Sequence, residues 1–286
     1  MFELLVSIIP YIAPIFVVST MLNVGLTQRL SEILAHLKNF PFVLKMLLAN
    51  FLLAPLLMVL MLYLAPFDPA LKAGLLIFSL SAGAPFLIKL SQTAEQKISL
   101  AAAVMMLLMV GTVLYVPVVL PMILSGIRVD AWQVARSLGL QLLMPIAVGM
   151  TVVQFLPDVA KRIQPWIGWI GNIALYVLIG ATLVGYFPGM LSIVGTGAIL
   201  VGLLFVLAAF GIGYMMGAGK DHLQDVGGLG TAQRNTAAGT IIAVQNFGDY
   251  PDVLVMITLA NTLGVVMLMF IAKRLSRGSS VETETV

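Results

Sequence analysis

Cysteine is absent from the 286 residues, which excludes disulfides, thiolate metal sites and cysteine nucleophiles. Histidine is almost as scarce. His36 and His222 both fall between apolar runs, where a solvated ring is the ordinary reading. Charged residues make up only 9% of the chain, against roughly 25% in a soluble globular domain. No Asp or Glu lies deep inside any long apolar run, and Asp225 stands at the edge of one. Paired membrane aspartates and a His-Glu-x-x-His pattern are missing too, and the mid-run serines have no histidine to partner them. Aspartyl, zinc and Ser-His hydrolytic chemistry therefore lack their residues. The chain reads as a non-enzyme that needs no cofactor.

What the sequence does have is hydrophobicity, at 60% of positions. The formal charge of +3 and pI near 9.2 fit basic loops of a membrane protein better than a nucleic-acid footprint. About 20 apolar residues cross a bilayer core as a helix. Breaks at charged residues divide the chain into nine such spans, at about 3–25, 41–65, 70–92, 98–125, 131–155, 164–187, 191–216, 226–247 and 250–273. The predicted fold class is thus an all-α polytopic membrane protein, with residues 1–274 as one membrane domain. A short polar cytoplasmic tail, 275–286, is expected to be disordered. The first span carries Glu3 where a signal peptide would carry basic residues.

Loop charges set the expected orientation. With the N-terminus outside, Arg29, Lys38, Lys97, Lys161, Arg162, Lys220, Lys273, Arg274 and Arg277 are cytoplasmic, leaving Lys72, Arg128 and Arg136 outside. This bias predicts an N-out, C-in protein of a bacterial inner membrane. Trp166 and Trp169 read as interfacial anchors, and the 17 methionines as packing rather than metal ligands.

Two spans are interrupted. One contains Ser81-Ala82-Gly83-Ala84-Pro85, the other Gly227-Gly228-Leu229-Gly230-Thr231-Ala232-Gln233-Arg234-Asn235-Thr236. Gly83, Pro85 and Gly230 are the expected helix breaks, because Pro85 lacks a backbone donor and opposes a continuous helix. Irregular backbone at membrane depth survives only when buried in protein or lining a wet cavity. Both breaks fall in the penultimate span of their half, the pointer to an inverted-repeat transporter with its site at the repeat interface.

Each break is followed by a cation, Lys89 or Arg234. Such a residue at a helix centre costs about 2.5–3.5 kcal/mol on insertion scales, so a cavity or a partner is expected. An anionic substrate is the functional reading, since guanidinium grips a carboxylate bidentately and ammonium acts as a point charge. Bonding to freed backbone carbonyls, or snorkelling by Lys89, are the plainer alternatives. Asn50, Thr231, Gln233, Asn235 and Thr236 complete the expected substrate-binding set.

On these motifs the chain resembles the bile acid:sodium symporter family, within the bile/arsenite/riboflavin transporter group. Met21-Leu22-Asn23-Val24-Gly25-Leu26-Thr27 closes the first span in the family's manner. Ala49-Asn50-Phe51-Leu52-Leu53-Ala54-Pro55 resembles its Gln-Phe-x-x-x-Pro segment, Gly83-Ala84-Pro85 its Pro-Gly-Gly break, and Arg234-Asn235-Thr236 its Gln-Asn-Ser segment. The resemblance implies inverted repeats and two broken helices that cross. It also implies a panel of spans 3–25, 131–155 and 164–187 against a core of 41–125 and 191–273, without the first helix of ten-span members.

The departures concern sodium. The positions of the family's Ser-Asn pair hold Leu87 and Ile88, its acidic residue falls on Gly230, and its Gln on Arg234. The hydroxyl-rich start of the next helix is Met105-Met106-Leu107-Leu108-Met109. The expectation is therefore a sodium-independent carrier of small organic anions, carboxylate or sulfonate, with Lys89 and Arg234 as fixed positive charge. A sodium-coupled bile acid symporter and a passive anion channel remain alternatives, with sodium or a proton open as coupling ion. The expected partners are the anion and the lipid bilayer, with no nucleic acid.

Overall fold

The computed structural model describes residues 2–124, 130–219 and 223–284. Arg128, Lys220 and His222, which the sequence reading assigns to loops, lie outside them. Among the described residues the chain is helical and has no strand.

Seven helices are long and apolar enough to cross a membrane. Two of these seven are composite. α3 (Phe40–Leu48) passes through a π turn, Ala49–Leu53, into α4 (Ala54–Tyr63). Likewise α8 (Ala131–Leu138) passes through Gly139–Leu143 into α9 (Met144–Phe155). The cause is the same in both. A proline, Pro55 or Pro145, sits two residues beyond the turn. Its ring would collide with the carbonyl four residues back in a regular helix. Widening the turn relieves this, and the Ala54 and Met144 amides bond five residues back, to Ala49 and Gly139.

The other long helices are α1 (Phe2–Thr27), α7 (Ile98–Ile123), α10 (Pro157–Gly185), α12 (Ala198–Gly217) and α15 (Pro251–Glu284). α10 starts earlier than the predicted 164, because Pro157 and Asp158 suit a helix N-terminus although Lys161 and Arg162 make that turn polar. α15 runs through residues 275–284, where the sequence reading expects disorder. Extending a formed helix costs less than starting one, and no proline follows Pro251. Short helices α2 (Leu30–Leu37) and α11 (Phe187–Val194) lie in connections.

The two remaining spans are broken. α5 (Pro69–Leu80) and α6 (Phe86–Thr93) flank the first gap; α13 (Gln224–Ala232) and α14 (Thr236–Asn246) flank the second. At 1.5 Å per residue none of the four crosses a ~30 Å core alone. Gly230 is a correction: it lies inside α13, and the second break is Gln233–Asn235. The glycines of α13 serve packing instead. A Cβ on Gly230 would stand 3.1 Å from Val104 of α7, and one on Gly227 would stand 2.6 Å from the Gly213 carbonyl of α12. Small residues let backbones approach in this way.

Packing joins the two halves of the chain. α1 lies on α9 and α10, whereas α5 packs on α15 and α13 on α12 and α7. The first half-helix of each broken span thus rests on the last long helix of the other half of the chain. α14 also touches α1 and α8. The chain is an integral membrane protein.

Candidate functional site

The breaks meet each other. The first, Ser81–Pro85, is pressed against α7: Gly83 has φ +78°, and a Cβ there would lie 2.3 Å from the Met109 nitrogen. Only glycine tolerates both demands. The Thr112 hydroxyl of α7 accepts from the Ala82 amide at 2.9 Å and donates to the Ala82 carbonyl at 3.0 Å. One side chain thereby satisfies both backbone groups of a residue that the break leaves without helical partners.

The second break reaches across to the first through Asn235. Its amide donates to the Ser81 carbonyl at 2.8 Å, and its Nδ2 to the Gly83 carbonyl at 3.0 Å. Its Oδ1 accepts from the Ala238 amide, capping α14. Asn is a preferred N-cap because its short acceptor reaches the first-turn amides. This residue therefore joins the two breaks and starts a helix at once.

Arg234 is 1% exposed. Its Nη1 donates to the Ser79 carbonyl in the last turn of α5 at 3.0 Å, and its guanidinium lies 5.2 Å from the centre of the Phe205 ring on α12. A cation at a helix carboxyl end faces the negative end of the helix dipole, and an aromatic face attracts it as well. Nε and Nη2 are buried without a partner. These two nitrogens form one edge of the guanidinium, the edge that holds a carboxylate by two parallel bonds.

The remaining expected residues divide into two groups. Asn50, in the first π turn, donates from Nδ2 to Met46 and to the Thr231 hydroxyl of α13, each at 3.0 Å, while its Oδ1 is buried and unpartnered. Gln233 donates to the Arg234 carbonyl at 3.2 Å and contacts Asn261 of α15 at 3.5 Å. Asn50, Thr231, Gln233, Arg234 and Asn235 are thus all buried around the second break, and Thr236 is half-buried beside them. Lys89 is elsewhere: it is exposed, with Phe86 and Gln92, along one face of α6. The first break lies where Gly83 and Pro85 place it.

Sequence reasoning misses Thr112, Ser79, Phe205 and Asn261. Thr112 is the only hydroxyl between Ser99 and Tyr115 on α7, and that isolation was its one signal. Ser79 acts through its backbone, so no side-chain pattern marks it.

A family model described as Sodium Bile acid symporter family matches residues 14–193. The matched stretch runs from the middle of α1 through the first break to most of α11 but ends before the second break. No curated protein matches the chain. Members of the matched family are membrane transporters of bile acids or related organic anions. With more than half its length matched, and with apolar helices of spanning length throughout, the chain belongs to the sodium bile acid symporter family.

Proposed function

We propose that this chain carries small organic anions, carboxylates or sulfonates, across a bacterial inner membrane by alternating access and without sodium. The observation that carries the reading is the buried guanidinium of Arg234 at the carboxyl end of α5, held there by Ser79 and Phe205. Half-helix carboxyl ends are where transporters with broken helices coordinate a dissociable cation. Here the cation is covalently attached. No acidic side chain pairs with it among the described residues, so the crossing keeps a net positive charge that favours an anion. Its free Nε–Nη2 edge is closed off in this conformation, and moving α5 relative to α12 would open it. Leu87, buried where the family pattern expects a hydroxyl, offers sodium no side-chain oxygen.

In this reading Lys89 is a second, exposed charge on α6 rather than a partner of Arg234. α1, α8, α9 and α10 act as the panel, and α3 to α7 with α12 to α15 as the core that moves against it. The N-terminus lies outside and the C-terminus in the cytoplasm, as the loop charges require. Sodium-coupled symport is the second reading, favoured by family membership itself.

Uptake of a panel of carboxylates and sulfonates into proteoliposomes, in sodium and in sodium-free choline buffer, separates the two. We expect equal rates in both, and a fall of about tenfold or more in Arg234→Leu through loss of a charge-assisted contact. The same variant should lose no more than about 1–2 kcal/mol of stability, because the stranded Ser79 carbonyl is offset by removal of a buried charge that has no acidic partner. A strict sodium requirement overturns the reading.

A further inference from the structure

Between Phe40 and Tyr63 the composite helix α3–α4 carries one charged residue, Lys45. Met46, Ala49 and Asn50 turn inward, whereas Lys45 is exposed together with Leu44, Leu48, Leu52 and Leu56. A leucine stripe of this length on a spanning helix is the side that lipid covers. Lys45 stands five residues beyond Phe40, where this span begins, or about 8 Å along the axis. Helical side chains lean toward the N-terminus of their own helix. The Lys45 stem therefore reaches back to the headgroup level with its methylenes along the leucines.

No carboxylate of this chain compensates that ammonium. α3 and the long helices it packs on, α7 and α12, contain no Asp or Glu. α13 also comes near, since a Cβ on Gly227 would lie 3.3 Å from Met46, but its Asp225 accepts from Gln96 Nε2 at 2.9 Å. Lys45 forms no ion pair among the described residues. Lys38, which ends α2 at the corner with α3, is likewise exposed and unpaired among them. Glu32, the one acid of α2, lies toward the other end of that helix, near Arg29. Leu30 and Leu34 leave part of the apolar side of α2 uncovered.

We propose that the α2–α3 corner holds an anionic phospholipid, its phosphate on Lys45 with Lys38 as the second charge, and its acyl chains along Leu44, Leu48 and Leu52. The counter-ion that the chain does not supply comes from the bilayer. An uncompensated ammonium at this depth prefers an anionic headgroup to a zwitterionic one, by roughly fivefold for each basic residue near the surface. A soluble anion would meet the same charge but bury none of the leucine stripe. α2 links α1 to α3, so the lipid sits on the joint between two spans. On the orientation proposed above, it belongs to the cytoplasmic leaflet. The inference does not depend on what the protein carries.

The test titrates the purified full chain in detergent with phosphatidylglycerol or phosphatidylcholine and counts retained lipid by native mass spectrometry. The parent should retain phosphatidylglycerol at a concentration at least about fivefold lower than phosphatidylcholine, and Lys45→Gln should remove most of that preference. Lys45→Arg should keep it, which separates loss of charge from loss of fold. Lys161→Gln removes an exposed charge from α10 and should leave the preference unchanged. Equal retention of the two lipids by the parent overturns the proposal, as does an unchanged preference in Lys45→Gln or a loss in Lys45→Arg. An equal fall in Lys161→Gln would show a response to net charge alone and overturn the site. Displacement of phosphatidylglycerol by millimolar inorganic phosphate would assign Lys45 to a soluble anion and overturn the lipid.

Discussion

The two breaks solve one problem with opposite materials. The first has only small residues and a proline, and it is held from outside by Thr112 of α7 and Asn235 of the other break. The second carries Gln233, Arg234 and Asn235, and each of these side chains bonds outward. One break presents backbone groups to be satisfied, and the other supplies the groups that satisfy them. Charge sits where side chains are already deployed, which is why Arg234 is buried and Lys89, on the passive side, is exposed.

Substitutions ranked by expected effect test this asymmetry. Gly83→Ala should be the most damaging, because it adds a Cβ against the Met109 backbone at a left-handed φ. A loss of roughly 4 kcal/mol or more is expected, read as a collapse of the melting temperature in detergent. Asn235→Ala should follow at about 2–3 kcal/mol, since it uncaps α14 and strands the Gly83 carbonyl. Thermal unfolding with a fluorescent reporter would measure it, and a shift no larger than that of a surface variant would break the claim that this side chain joins the breaks. Thr112→Val keeps the shape of α7 and removes both bonds to Ala82, at about 1–2 kcal/mol. Hydrogen exchange should then rise at the Ala82 amide before it rises at Asn235.

Much of this was legible in the sequence. Spans could be counted from charge-bearing gaps, and the first break from Gly83 and Pro85, because proline and a left-handed glycine each act locally. The second break was misplaced onto Gly230 for a physical reason. Glycine serves both to interrupt a helix and to let one lie close on another, and α13 uses it only for the second purpose against α12 and α7. The burial of Arg234 could be anticipated, but not its partners, since a backbone carbonyl and a phenylalanine ring leave no pairing pattern. Lys89 is hidden by its setting: α6 has only eight residues, and its polar ones, Lys89, Ser91, Gln92 and Thr93, fall on buried and exposed faces alike, so they do not fix which face turns outward.

The paired π turns carry a consequence for how this chain varies in length. A π turn holds one residue more than the α-helical turn it replaces, so it records a single-residue insertion absorbed within the span. Deleting one residue from Ala49–Leu53 would close the wide turn into an α-helical one, leave the flanking segments close to their present phase and reposition the side chains of the turn itself. Asn50 would then lose its alignment with Thr231. Pro55 and Pro145 oppose that deletion, because each would again face an obstructing carbonyl. In both spans, then, a proline guards the residue count, and a gap in a related chain at either turn should coincide with the loss of that proline.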